Sequence, residues 1–257
     1  MGEKRDLWVE EFELDGMPPH SCPRCRHGYI SIVPDTLHEE TIADSQRYLR
    51  ETDNDPEFDY RRFSCLLRCN NRDCQEVIVM AGKSRHELYF VEEIGEMKYK
   101  TLYAPTFIQP GPMLADIPIG TPKPVDDALR DGFTLFWSDL GSSANKLRIA
   151  AERLMDAKKV PTTQLNRHRK RVLRNLSNRI DFYAQANPHH KLFLDALRWV
   201  GNQGSHTGDV DRDDLITGYE LMQEGLRELY GAKYRKDLQR RGKEIIARKG
   251  RPRRKAA

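Results

Sequence analysis

Two short-spaced cysteine pairs, Cys22-Pro-Arg-Cys25 and Cys69-Asn-Asn-Arg-Asp-Cys74, constrain this chain more than any other feature of its sequence. Thiols two to four residues apart sit on tight turns, and two such turns brought together offer four sulfurs to one tetrahedral metal ion. The runs around them, GYISIV, RRFSCLLRC, EVIVMAG and ELYFVEE, are short, β-branched or aromatic, and separated by turns. That pattern predicts a small β-rich module over residues 1–103, with the second pair between two strands. Zinc is the expected ion, held by Cys22, Cys25, Cys69 and Cys74, and four protein ligands make its role structural. Cys65 lies inside a strand and reads as a core residue, with His20 and His27 as weaker substitute ligands. Five cysteines, four of them paired, suit a metal site in a reducing compartment better than a disulfide framework.

The rest of the 257 residues divides by composition. Residues 35–60 are acidic and polar and read as an insertion with a helical piece near 39–50. Six of the fourteen prolines fall in 104–124, which predicts an irregular linker. Phe107, Ile108, Met113, Leu114 and Ile117 make it too apolar for a free tether, so a packed strap is expected. Residues 125–231 carry helical periodicity, with helices expected near 125–138, 142–157, 168–185, 188–201 and 211–230. The fold class is therefore α+β, a small β-rich metal module followed by an all-α bundle. Residues 232–257 contain twelve Lys/Arg and two Asp/Glu, so this helical, then disordered tail carries +10 and residues 1–231 carry −6. With 38% hydrophobic residues, no stretch long enough to span a membrane and charges within the first twelve residues, the chain is expected in the cytoplasm, away from membranes.

In the stretch RWVGNQGSH, residues 198–206, an apolar helix is expected to run into a glycine-punctuated turn carrying Asn202 and His206. Asp211, with Asp213 and Asp214 behind it, caps the next helix, whose stripe is Leu215, Tyr219, Met222, Leu226 and Leu229. LRWVGNQGSH, preceded by LFWSDLGSSANKLRIAAERLMD and followed by DLITGYELMQEGLRELYG, resembles the family catalogued as domain of unknown function 4145. The resemblance covers roughly the last half of the chain, and the cysteine region is similar to the zinc-ribbon leader of many members. It implies a prokaryotic HEPN-like helical bundle, a class frequent in conflict and phage-defence systems and including metal-independent ribonucleases. The pattern of those enzymes is an Arg, a polar residue directly after it, and a His a few residues on. Asn202 and His206 fit the last two positions, Gly201 stands where the Arg would, and Arg198 lies one turn too early.

Two readings of that pair stand. In the first, His206 moves a proton during RNA cleavage while Arg198, or Arg148 with Glu152 one turn along to orient a partner, supplies the cation. In the second, Asn202 and His206 hydrogen-bond the turn and hold two helices together, and the missing Arg favours this one. Two basic segments point to nucleic acid: Arg167, Arg169, Lys170, Arg171 and Arg174 read as a phosphate-tracking helix face, with Arg179 nearby, or as a solvated surface. Lys249, Gly250, Arg251, Pro252, Arg253, Arg254 and Lys255 look like an AT-hook, in which arginine beside glycine enters a narrow A·T minor groove, or like a generic basic tail. The expected function is a nucleic-acid-associated accessory or defence protein without strong catalysis, bound to DNA by its tail, with RNA and defence-system proteins as further partners. The rivals are a metal-independent endoribonuclease and a protein-interaction adaptor that dimerises through its bundle.

Overall fold

The computed structural model describes residues 7–51, 55–206 and 210–249, and at 204–206 and 233–235 the backbone alone. Its first half is an antiparallel sheet. β3 (Arg61–Cys69), β4 (Val77–Val91) and β5 (Glu96–Gln109) follow one another as a meander. Two short strands share the outer edge of β3: β2 (His38–Thr41) pairs with its start and β1 (Ile30–Ile32) with its end. Side chains alternate across a pleated strand, and in β3 Phe63, Cys65, Leu67 and Cys69 all face inward. Cys65 is thereby a core residue on the same face as the ligand candidate Cys69.

Regular structure extends further than the prolines suggest, because β5 continues through 104–109, residues expected in the linker. Pro105 has no N–H to donate and sits opposite Gly82 at a bulge, where Thr106 is the extra residue. A Cβ on Gly82 would fall 2.2 Å from the Ala104 carbonyl oxygen, so the close approach requires glycine. The expected helix near 39–50 is likewise divided: 38–41 is strand β2, and α1 spans Ala43–Glu51.

The second half is helical around α3 (Leu140–Ala157), in which Leu147, Ala150, Ala151, Leu154 and Met155 are fully buried. α2 (Lys123–Leu135), α5 (Lys191–His206) and α6 (Arg212–Tyr230) pack against it, with the short α4 (Leu176–Ala184) beside α5 and α7 (Ala232–Ala247) trailing from α6. Carboxylate caps start α3 and α6: Asp139 accepts from the Ser142 N–H and Asp211 from the Asp214 N–H. Ser143 and Tyr219 bind each other at 2.8 Å in the interior, which satisfies two buried hydroxyls at once.

Two expectations fail in this half. Residues 162–174 form a β-hairpin, with β6 (Thr163–Leu165) against β7 (Arg171–Leu173), in place of the start of a helix. The Asn166 side chain accepts from the N–H groups of His168 and Lys170, and Arg169 takes a φ of 58°. This local turn competes successfully with helix in a stretch lacking an apolar repeat. Secondly, α5 does not break at its glycines but runs on to His206. Gly201 is a packing residue, since a Cβ there would lie 2.4 Å from Cβ of Arg148 on α3. The buried face of α5 is built on Leu194 and Leu197, whereas Leu192 is 83% exposed.

Residues 110–122 run between the halves with Met113, Leu114, Ala115 and Ile117 buried, and a single apolar core passes through both. Trp8 stacks on His20 and meets Phe136 and Trp137 of the helical half. Among the described residues, no helix is long and apolar enough to cross a membrane.

Candidate metal centre and basic surfaces

Cys22 and Cys25 lie on the turn before β1, and Cys69 and Cys74 on the turn joining β3 to β4. β1 pairs with β3 in the register Ile30 to Cys69, so ladder hydrogen bonds set the two turns side by side. All four sulfurs lie within 4.8 Å of one another. Cys22 and Cys74 are 3.8 Å apart, and Cys25 and Cys69 are 3.7 Å apart. The turns are built alike. Arg26, directly after Cys25, has φ 61°, and Gln75, directly after Cys74, has φ 50°. Backbone N–H groups point at sulfur from Gly28 to Cys25 and from Asn71 to Cys69, each at 3.4 Å. Burial opposes ionisation of Cys25, yet the N–H groups of His27 and Gly28 bring its thiol down to about 6. Burial and the adjacent sulfurs push Cys69 up to about 12. Four sulfurs at this spacing repel once ionised, and a cation among them removes that conflict. These four residues could hold a metal ion. Cys65 stands apart, its thiol pushed up to about 11 by burial.

Gly28 belongs to the centre as well, a residue that the cysteine spacing alone does not single out. A Cβ at this position would sit 2.5 Å from the Cys69 sulfur. The signal for it in the sequence is a glycine three positions after the CxxC pair.

The helical candidates are dispersed. Arg198 donates to the Ser177 hydroxyl at 3.2 Å and lies 3.5 Å from Asp195, which turns it toward α4. Arg148 faces Gly201 across the α3–α5 contact and pairs with Glu152 at 3.5 Å. Its Nε is buried with no hydrogen-bond partner among the described residues. Asn202 is half-buried on α5, and the His206 side chain lies outside the described residues. Of the basic segment, Arg167, Arg169, Lys170 and Arg171 are exposed at and beside the hairpin turn. Arg174 instead covers the Phe182 ring at 4.4 Å. Arg179 is buried and donates to Asp156 and the Val160 carbonyl, a structural role. The expected phosphate-tracking helix face is therefore a β-ribbon with its cations at the tip. Lys249 ends the described chain, and Gly250, Arg251, Pro252, Arg253, Arg254 and Lys255 lie outside the described residues.

The fold and centre define a protein in which a four-cysteine antiparallel sheet shares its core with a helical bundle. Residues 132–248 match the family model described as domain of unknown function (DUF4145). Residues 10–108 match a separate one, domain of unknown function (DUF8608), so the cysteine-bearing sheet corresponds to a model of its own and not only to a leader of the first family. No curated protein and no solved structure matches the chain.

Proposed function

We propose that this chain is a nucleic-acid-binding accessory protein, in which a zinc-ribbon-like sheet and a HEPN-like bundle form the scaffold and exposed basic elements bind phosphate. The observation that carries the reading is the β6–β7 ribbon, whose turn exposes Arg167, His168, Arg169, Lys170 and Arg171 with no acidic residue among them. A two-stranded ribbon is narrow enough for a major groove, and clustered cations release condensed counterions on binding. The basic tail adds a second contact of the same sign. Zinc suits the cysteine centre, because a sulfur tetrahedron with Zn–S bonds of about 2.3 Å has edges of about 3.8 Å, close to the 3.7 and 3.8 Å separations. It serves as a closed structural ion. The defence setting follows from the family resemblance alone, and the cytoplasmic location from cysteines that suit a metal site in a reducing compartment.

The test combines Arg167→Ala, Arg169→Ala and Lys170→Ala, and compares binding of duplex DNA and RNA over a range of salt. Each phosphate that the variant no longer neutralises should flatten the log–log salt slope by about 0.9 on duplex DNA. Removal of residues 249–257 should flatten it further, most strongly on A·T-rich duplex. Unchanged slopes in both variants contradict the proposal and leave the adaptor reading.

One observation favours catalysis instead. Cβ of Arg148 lies against Gly201, so α3 sets an arginine, paired through its Nε with Glu152 at 3.5 Å, beside the residue preceding Asn202. In cleavage its guanidinium would turn from Glu152 to a substrate phosphate oxygen. RNA cleavage in EDTA that leaves 2′,3′-cyclic phosphate ends and disappears in both Arg148→Ala and His206→Ala would establish an endoribonuclease. Intact RNA retains the binding role.

A further inference from the structure

A second cluster of metal-ligating groups lies in the helical half, well away from the cysteines in the sequence. The turn Pro188–His190 ahead of α5 faces the last turn of α6. His189 Nε2 lies 3.1 Å, and His190 Nε2 3.3 Å, from the same Glu228 oxygen. The three ligand atoms all lie within 4.8 Å of one another.

The buried member is held rigidly. His190 is 3% exposed, its ring is stacked on Tyr183 and meets the edge of Phe193, and its Nδ1 is 3.2 Å from the Tyr183 hydroxyl. Its Nε2 is nevertheless buried without a hydrogen-bond partner, because the approach of Glu228 is close but poorly aligned. A ring that donates from Nδ1 to the tyrosine oxygen presents a lone pair at Nε2, which then faces a carboxylate and a second imidazole. Something positive belongs between them.

We propose that His189, His190 and Glu228 bind a divalent transition-metal ion. Metal–nitrogen and metal–oxygen bonds of about 2.0–2.2 Å place tetrahedral ligands roughly 3.3–3.6 Å apart, so the present separations need only a small expansion to admit the ion. Two imidazoles and one carboxylate select a borderline cation such as zinc, cobalt or nickel over magnesium or calcium. His189 and Glu228 are each more than half exposed, so water completes the coordination, unlike the closed sulfur site. Tyr183 acts as a positioning residue that fixes the imidazole, and the carbonyl end of the α6 dipole adds negative potential.

The test uses untagged full-length protein already carrying one equivalent of zinc, titrated with cobalt chloride by calorimetry and visible absorption. The expected result is one further equivalent, with d–d bands but no thiolate-to-cobalt charge transfer. His189→Ala and Glu228→Gln change exposed groups and should retain the wild-type melt while binding cobalt at least about tenfold more weakly, and Tyr183→Phe should weaken it about 10–100-fold. Absence of the second equivalent in wild type, a thiolate charge-transfer band, or equal binding by the two ligand variants would overturn the assignment.

Discussion

At the scale of single residues, a methyl group decides how two helices approach. Alanine in an exposed helix is favoured over glycine by about 1 kcal/mol. At Gly201 the added Cβ would meet Cβ of Arg148 at 2.4 Å and the Ala144 carbonyl oxygen at 3.2 Å, neither of which is the end of a flexible side chain. Gly201→Ala should therefore destabilise the protein by about 1–3 kcal/mol, read from the urea midpoint. Stability equal to or above wild type would show that α3 and α5 do not touch there. The same contact leaves no room against α3 for a larger side chain, such as the arginine of the ribonuclease pattern, at position 201. Around the metal centre, Gly28→Ala would press on the Cys69 sulfur at 2.5 Å, whereas Cys65 contributes only to the core. Metal analysis should find about one equivalent of zinc in Cys65→Ala and much less in Gly28→Ala and Cys69→Ala. Zinc lost from Cys65→Ala while its melt stays near wild type would make Cys65 a ligand.

At the scale of elements, one carboxylate holds the excursion of β2, α1 and the following turn onto the sheet. Asp59 accepts from the Thr41 hydroxyl at 2.9 Å and from Arg61 Nε at 2.8 Å, and lies 3.6 Å from His86. Burial alone would raise its pKa, but the Arg61 and Thr41 hydrogen bonds and the charges of Arg61 and His86 hold it below the usual aspartate value. The stability it contributes is thus fully present above that usual value and is lost as pH falls through the lower folded value. Asp59→Asn should lower stability at neutral pH and flatten the acid limb of the pH–stability curve. An acid limb identical to wild type would remove Asp59 from the account. The elements most legible in the sequence are those whose signals are local: the cysteine turns, the Asp211 cap and the periodic stripe of α6. The β6–β7 ribbon is obscured because its basic residues fit a solvated helix face equally well, and only the turn chemistry of Asn166 distinguishes the two. The length of β5 is hidden by Pro105, which only the bulge opposite Gly82 accommodates. His190 and Glu228 cannot be paired from sequence at all, because their contact depends on how α5 packs against α6.

At the scale of the whole molecule, the four-cysteine centre supports more than its own sheet. The first cysteine turn is gripped by the other half of the chain, with Arg130 of α2 donating to the Pro23 carbonyl at 2.7 Å. Arg26 donates to the Ile117 carbonyl of the strap at 2.6 Å and lies 3.7 Å from Asp126 of α2. Trp8, His20, Phe136 and Trp137 close the same junction with stacked and edge-on rings. Removal of an ion held by these cysteines would leave four crowded sulfurs whose turns include left-handed backbone at Arg26 and Gln75, so the grip on α2 and the strap should loosen together with the sheet. A chelator strong enough to strip the cysteine site should therefore lower the melting temperature of the helical circular-dichroism signal, and the melt should remain a single transition shared with the tryptophan fluorescence of the junction. Readdition of zinc should restore it. Two separate transitions, with the helical one unmoved by chelation, would show that the halves fold independently and that the shared core contributes little cooperativity.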